Sequence, residues 1–309
     1  MKPIHLFFLL LLVLSFAACS DDDDATDPII SEMPVTATGL IYLKDETNTL
    51  NDIYAGVRSD LEAAGPIGIV AEVNHGSAAG VAGLSLRPTR VILFGNPNLG
   101  TPLMQQNMLA GLDLPQKIVF YQTEDSGVTV AYNSTDYLAR RHNLTDNGEL
   151  TTIGNALSNF VTSNARGTLL SSTGANVEAN QGIVTGTSTD DVETVYGRLR
   201  AAISSNANLT IVAELDHSAN AARVNLTLPE SKLIVFGNPA VGSPFMQNEQ
   251  SAGIDLPVKM LVFDNGNGTT VAYNAPAWLA ERHGIDENLP QIELMRTALE
   301  NLSAAATDN

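Results

Sequence analysis

The stretch IVAEVNHGSAAGVAGLSLRPTRVILFGNPNLGTPLMQ, residues 69–105, returns as IVAELDHSANAARVNLTLPESKLIVFGNPAVGSPFMQ, residues 211–247. His75 and His217 are 142 positions apart, as are Gly95 and Gly237, and Asp113 and Asp255. A solenoid unit repeats every few tens of residues, so a spacing this long makes each copy a whole domain. Roughly 125 to 130 residues per copy is enough for a core of its own, because a domain of that size buries about two-thirds of its unfolded surface.

Working outward from the repeat, each copy begins with a short apolar strand, Gly39-Leu40-Ile41-Tyr42 and Gly182-Ile183-Val184. Leu50, Ile53, Tyr54, Val57 and Leu61 then fall at helical spacing, matched by Val192, Val195, Tyr196, Leu199 and Ile203. Thr47 and Thr189 are the expected N-caps of this helix, and Gly65 its end in the first copy. The five segments 67–73, 84–86, 90–94, 117–121 and 128–132 are short, β-branched or aromatic, and are the candidates for four further strands. The turn between the last two is TEDSG in one copy and NGNG in the other, so the offset falls to 141 at His142 and His283. A short helix through Tyr137 or Trp278 and a longer one carrying Leu150, Ile153, Leu157 and Phe160, or Ile292, Met295, Leu299 and Leu302, close each unit.

The expected fold is therefore α+β: strand, helix, four strands, helix, with helices on one face of a mostly antiparallel sheet, built twice. The domains run 38–165 and 181–309, joined by a small, polar linker at 166–180. Two copies with the same apolar faces on so short a tether are expected to pack together as an intramolecular pseudo-dimer.

The N-terminal region gives an address. Lys2 precedes an apolar run from Leu6 to Phe16, then Ala17, Ala18 and Cys19, the chain's one cysteine. This order reads as a lipoprotein signal peptide over residues 1–18, with Cys19 acylated and attaching the protein to a membrane. The run is too short to span a bilayer as a permanent helix. Residues 19–37 form an acidic tether containing Asp21 to Asp24, which resembles a surface-export signal and makes the outer face of an outer membrane the expected location. The net charge of −18 repels phosphate backbones and neither copy carries a basic stripe, so nucleic acid is not an expected partner.

Chemistry-bearing residues are few. The turn Gly95-Asn96-Pro97-x-x-Gly100-Thr101-Pro102 recurs as Gly237-Asn238-Pro239-x-x-Gly242-Ser243-Pro244. Its glycines, and the Thr or Ser before proline, suggest a helix start with Thr101 or Ser243 as N-cap, where free N–H groups can meet an anion. The same pattern also serves as a strand-to-helix corner in which Asn96 bonds its own backbone. His75 and His217 are read at strand ends. Glu72 and Glu214, three positions earlier, fall on the opposite face, so no chelate and no metal or cofactor is expected. His142 and His283 follow Arg141 and Arg282 at a helix C-terminus, where cations suit the helix dipole. If folding brings His75 to His142, and His217 to His283, each copy gains a two-nitrogen site. No nucleophile elbow is present.

The combination of "NHGS" and "DHSA", FGNPxxGxPxM, AGxDLPxK, and VAYN before LAxRH resembles the domain of unknown function 302 family, over nearly the full length of both copies. The resemblance implies a fold similar to the TATA-box-binding-protein-like class and no established activity. The ligand-binding candidates are His75, Asn96, Gly100, Thr101, His217, Asn238, Gly242 and Ser243, with no catalytic assignment. The expected function is non-enzymatic binding of a small, possibly anionic ligand or a protein partner. The alternatives are a small hydrolase or isomerase using His75 and His217, and a structural envelope module.

Overall fold

The computed structural model describes residues 37–172 and 176–307. The expected signal peptide, Cys19 and the acidic run lie outside the described residues. The first repeat runs β1 (Leu40–Asp45), α1 (Leu50–Ala63), β2 (Gly68–Asn74), α2 (His75–Val81), β3 (Thr89–Gly95), α3 (Pro97–Gln106), a 3-10 helix (Met108–Leu112), β4 (Gln116–Gln122), β5 (Val128–Asn133), α4 (Thr135–His142) and α5 (Glu149–Thr162). A two-residue β6 (Leu170–Ser171) follows. The second repeat runs β7 (Ile183–Ser188), α6 (Val192–Ser205), β8 (Thr210–Asp216), α7 (His217–Arg223), β9 (Ser231–Gly237), α8 (Pro239–Asn248), a 3-10 helix (Gln250–Ile254), β10 (Val258–Asp264), β11 (Thr269–Asn274), α9 (Pro276–His283) and α10 (Pro290–Thr307).

Each repeat forms one antiparallel sheet, in the order β2-β3-β4-β5-β1-β6 and β7-β11-β10-β9-β8. The inner strands β3, β4, β9 and β10 read as near-continuous apolar runs because both of their faces are covered. In β3, Ile92 and Phe94 point into the core beneath α1 and α5, while Val91 and Leu93 join a second core. That second core also takes Leu233 and Val235 of β9 and Leu261 of β10 from the other repeat. Period-2 alternation thus sends half of each strand to its own helices and half to the facing sheet. Gln105 Nε2 donates to Thr227 O and Gln247 Nε2 to Ser85 O, both at 2.7 Å, so the repeats clasp each other reciprocally.

Several local expectations are corrected. The N-caps of α1 and α6 are Thr49 and Asp191, whose side chains accept from Asp52 N and Thr194 N. Thr47 instead donates to Asp45 Oδ1 through its amide and hydroxyl, which removes it from the helix. Residues 84–86 form no strand. The chain after β2 enters α2, because Asn74 accepts from Ser77 N as an N-cap and small residues follow; Asp216 does the same for Ala219 N. His75 and His217 therefore open short helices rather than closing strands. The linker is not merely a tether: β6 extends the first sheet along β1.

Candidate functional site

Asn96 and Asn238 set the corner where each β3- or β9-type strand turns into a helix. Asn96 Oδ1 accepts from Asn98 N at 3.0 Å, and its carbonyl accepts from Leu99 N and Gly100 N. Asn238 does the same for Ala240, Val241 and Gly242. The N-cap is thus the asparagine with proline directly after it, five positions earlier than expected. Thr101 and Ser243 lie inside the helices and are buried. The first-turn N–H groups are already used, and none of Gly95, Gly100, Gly237 or Gly242 takes a positive φ. Gly95 is small for another reason: a Cβ there would stand 3.4 Å from Pro115 Cβ, and at Gly237 3.3 Å from Pro257 Cβ.

The corners face two clefts, and each cleft is completed by the opposite repeat. The first, about 410 Å³, combines Asn96, Gly100 and Thr101 with His217, Asn220 and Arg223 of α7. The second, about 330 Å³, combines Asn238, Gly242 and Ser243 with His75 and Ala78 of α2. Packing explains the exchange: α2 lies against α8, and α7 against α3. Apolar walls dominate both, with Phe94, Leu157 and Phe160 in the first and Phe236, Met295 and Leu299 in the second.

Burial lowers the pKa of His75 to about 4, against the opposing pull of the Gly253 and Leu256 carbonyls. His217 is also held at about 4 by burial, opposed by Asp216 and assisted by Lys259. Both imidazoles are neutral near pH 7. His75 Nε2 meets Gly253 O at 3.3 Å, across the repeat boundary. The glutamates three residues earlier are engaged by other partners: Glu214, at the edge of the first cleft, accepts from Tyr196 Oη at 2.6 Å and from Arg200 Nε, and Glu72 accepts from Tyr54 and Arg58.

His142 and His283 line neither cleft, so the two-nitrogen sites do not form. They belong to a buried polar network between the sheets, a role larger than matching a helix dipole. Asp113 Oδ2 accepts from Arg141 at 2.7 Å and pairs with His142 Nε2 at 2.8 Å; Asp255 Oδ2 pairs with Arg282 at 2.5 Å and His283 Nε2 at 2.9 Å. Each arginine also crosses to the other repeat, Arg141 to Asn274 Oδ1 and Arg282 to Asn133 Oδ1. Arg141 stacks 4.0 Å from the Trp278 ring centroid and Arg282 4.2 Å from that of Tyr137. Gly39 and Gly182 make room for these rings: both have left-handed φ, and a Cβ would stand 2.5 Å from Tyr137 and 2.1 Å from Trp278.

Burial by itself raises the pKa of a carboxyl, but Arg141, His142 and Lys117 outweigh it and hold Asp113 well below the usual range. Arg282, Lys117 and His283 do the same for Asp255. Lys117 Nζ lies 3.2 Å from Asp255 Oδ1 and 4.0 Å from Asp113 Oδ1. Lys259 donates to Leu112 O, and burial together with the adjacent Lys117 pushes its pKa well down. Sequence reading missed this network because its arginine–aspartate and histidine–aspartate partners lie 27 to 29 residues apart and its arginine–asparagine partners cross between the repeats. The available signal was that Asp113, Lys117, Asn133 and Arg141 all recur in the second copy. Among the described residues, no group of three or more His, Cys, Asp or Glu is placed to hold a metal ion.

A family model described as "Domain of unknown function DUF302" matches residues 44–163 and 184–306. Two curated relatives named fluoride-specific ion channel FluC 1, from Brucella suis biovar 1 and Brucella abortus biovar 1, are 36% identical over 107 residues. The match covers 34% of this chain and 42% and 39% of theirs, so the chain spans about two-fifths of the relatives' length. Among solved structures, an uncharacterized DUF302 protein from Bacillus stearothermophilus is 16% identical, with TM-score 0.34, covering 41% of this chain and 97% of that one. The di-domain ARO/CYC StfQ from the steffimycin biosynthetic pathway is 10% identical with TM-score 0.22, covering 87% of this chain and 96% of that one.

Proposed function

This chain belongs to the DUF302 family through both of its repeats, and from that premise we propose that it is a non-enzymatic binding protein whose two composite clefts each take a small, largely apolar molecule. The observation that carries the reading is reciprocity: the histidine of one repeat and the Gly-Asn-Pro corner of the other meet at one cleft, twice over. Concave, mainly apolar sites of a few hundred Å³ with a small number of polar groups are the usual form of small-molecule sites. A purely structural module has no need of two such clefts. The hydrolase or isomerase alternative needs a cleft histidine with a carboxylate partner. The His–Asp pairs among the described residues, His142–Asp113 and His283–Asp255, are instead sealed between the sheets.

The names of the Brucella relatives concern fluoride channels, and the shared segment is a minor part of those chains. Their channel activity is not carried over to this protein. No described helix is long and apolar enough to cross a membrane. Attachment in this reading comes from acylation of Cys19, and display at the outer surface from Asp21 to Asp24; both rest on the residue order of the N-terminal region. Cys19→Ser is expected to abolish labelling by a palmitate analogue in cells, and an unlabelled wild type would overturn the anchor.

Calorimetric titration with 1-octanol tests the clefts. Leu99→Trp fills the first and Val241→Trp the second. Two equivalents are expected to bind the wild type, one each single variant, and none the double variant. Wild-type protein without saturable binding would overturn the proposal.

A further inference from the structure

The two clefts share a corner and a histidine but not the groups around it, and we propose that the first cleft is a carboxylate-recognition site that takes an aliphatic monocarboxylate. The inference rests on the reading of the clefts as ligand sites and names the ligand class of one of them.

Two side chains of the first cleft carry polar atoms with no hydrogen-bond partner. Gln116, on β4 of the first repeat, is 6% exposed, and His217, on α7 of the second, is 8% exposed; the Nε2 of each is buried and unpaired. A buried donor without an acceptor is unfavourable, so a ligand oxygen at this point gains what the protein lacks. His217 is neutral, so with its proton on Nε2 it donates alongside the Gln116 amide.

Asn220 and Arg223 follow His217 at intervals of three on α7 and border the same cleft. Arg223 donates to Asn220 Oδ1 at 3.2 Å, and no carboxylate among the described residues pairs with it. The acid at the cleft edge, Glu214, is engaged by Tyr196 and Arg200. One uncompensated cation and two neutral donors match a single negative charge carried on two acceptor oxygens. The remaining wall, including Ile69, Phe94, Leu99, Met104, Leu157 and Phe160, suits a hydrocarbon body.

The second cleft is the control. Val258 replaces Gln116, Ala78 replaces Asn220, and Val81, which is 91% exposed and does not line the cleft, replaces Arg223. Its histidine is already bonded to Gly253 O. These four differences leave the arginine and the unpaired buried donors to the first cleft, while the second carries the neutral Asn206, Asn208 and Thr210 in its lining.

The experiment titrates the protein with octanoate and with 1-octanol. Octanoate is expected to bind the first cleft at least about tenfold more tightly than octanol, the scale of a charge-assisted hydrogen bond. Arg223→Ala with Gln116→Val should erase that preference while octanol still binds, and Leu99→Trp should remove octanoate binding. The triple variant Ala78→Asn, Val81→Arg, Val258→Gln should create a second octanoate site. Equal affinities, a preference that survives Arg223→Ala with Gln116→Val, or one lost with Val241→Trp would overturn the carboxylate site. Octanol binding in both clefts without any preference overturns this inference alone. Failure of both probes to bind overturns the cleft reading with it.

Discussion

The first and second clefts are built from the same corner and the same exchange of helices, yet among the described residues only the first carries an arginine and buried side-chain nitrogens without a partner. Gln116, Asn220 and Arg223 stand where the second cleft has Val258, Ala78 and an outlying Val81. The frame is duplicated and the recognition surface is not. The lesson is that conserved positions between the copies mark the scaffold of a site, while its chemistry lies in the positions that differ.

The network between the sheets is where that comparison breaks most violently, since both clefts depend on the same interface. Removing one partner of a buried ion pair leaves an uncompensated charge, so Asp255→Ala is expected to cost about 3–5 kcal/mol in urea denaturation. Asp113→Ala should cost less. Asp113 Oδ1 is unpaired in the folded protein and its lysine contact is 4.0 Å, whereas Asp255 Oδ1 has Lys117 at 3.2 Å. Equal losses would show that the asymmetry has no energetic weight.

Acid sharpens the comparison next. His75 and His217 have folded pKa values of about 4 against an ordinary 6.5, so between these values the unfolded chain binds more protons than the folded one. Stability therefore falls as pH drops from about 6.5 to about 4, by roughly 3 kcal/mol for each histidine. The buried aspartates work in a lower window: their depressed pKa values stabilise the fold above the unfolded carboxylate range and lose that contribution as pH falls below about 4. Denaturation at successive pH values should show His75→Gln and His217→Gln each removing part of the upper slope. An unchanged slope in either variant would show that its histidine is not held neutral by burial.

The smallest effect concerns the shared frame. Asn96→Ala and Asn238→Ala should each lower stability by about 0.5–2 kcal/mol, as loss of an N-cap does, and by equal amounts. Thermal melts that differ clearly between the two would mean that one corner is held by more than its asparagine.

The architecture was legible because doubly buried strands such as VILF and LIVF leave little choice of element, and because the repeat marked the domains. The corner asparagines and His75 and His217 were legible for the same reason. What was hidden is that they meet across copies: a constant offset is the same whether a histidine faces its own corner or its partner's. α2 and α7 were missed because their N-caps, Asn74 and Asp216, sit at the end of an apolar strand that seemed to continue into the histidine. Gln116, Asn220 and Arg223 escaped because comparison of the copies selects what they share.

Lys117 and Lys259 show what covalent duplication makes available. In a dimer of identical chains the interface is isologous, and equivalent residues near the two-fold axis must adopt matching environments. Here one lysine serves both aspartates while its counterpart, its pKa pushed down by burial and by Lys117, turns to the Leu112 carbonyl. A single polypeptide can resolve a conflict at its own pseudo-axis by giving the two sides different partners. The same freedom from enforced equivalence lets a substitution alter one cleft without being written into the other.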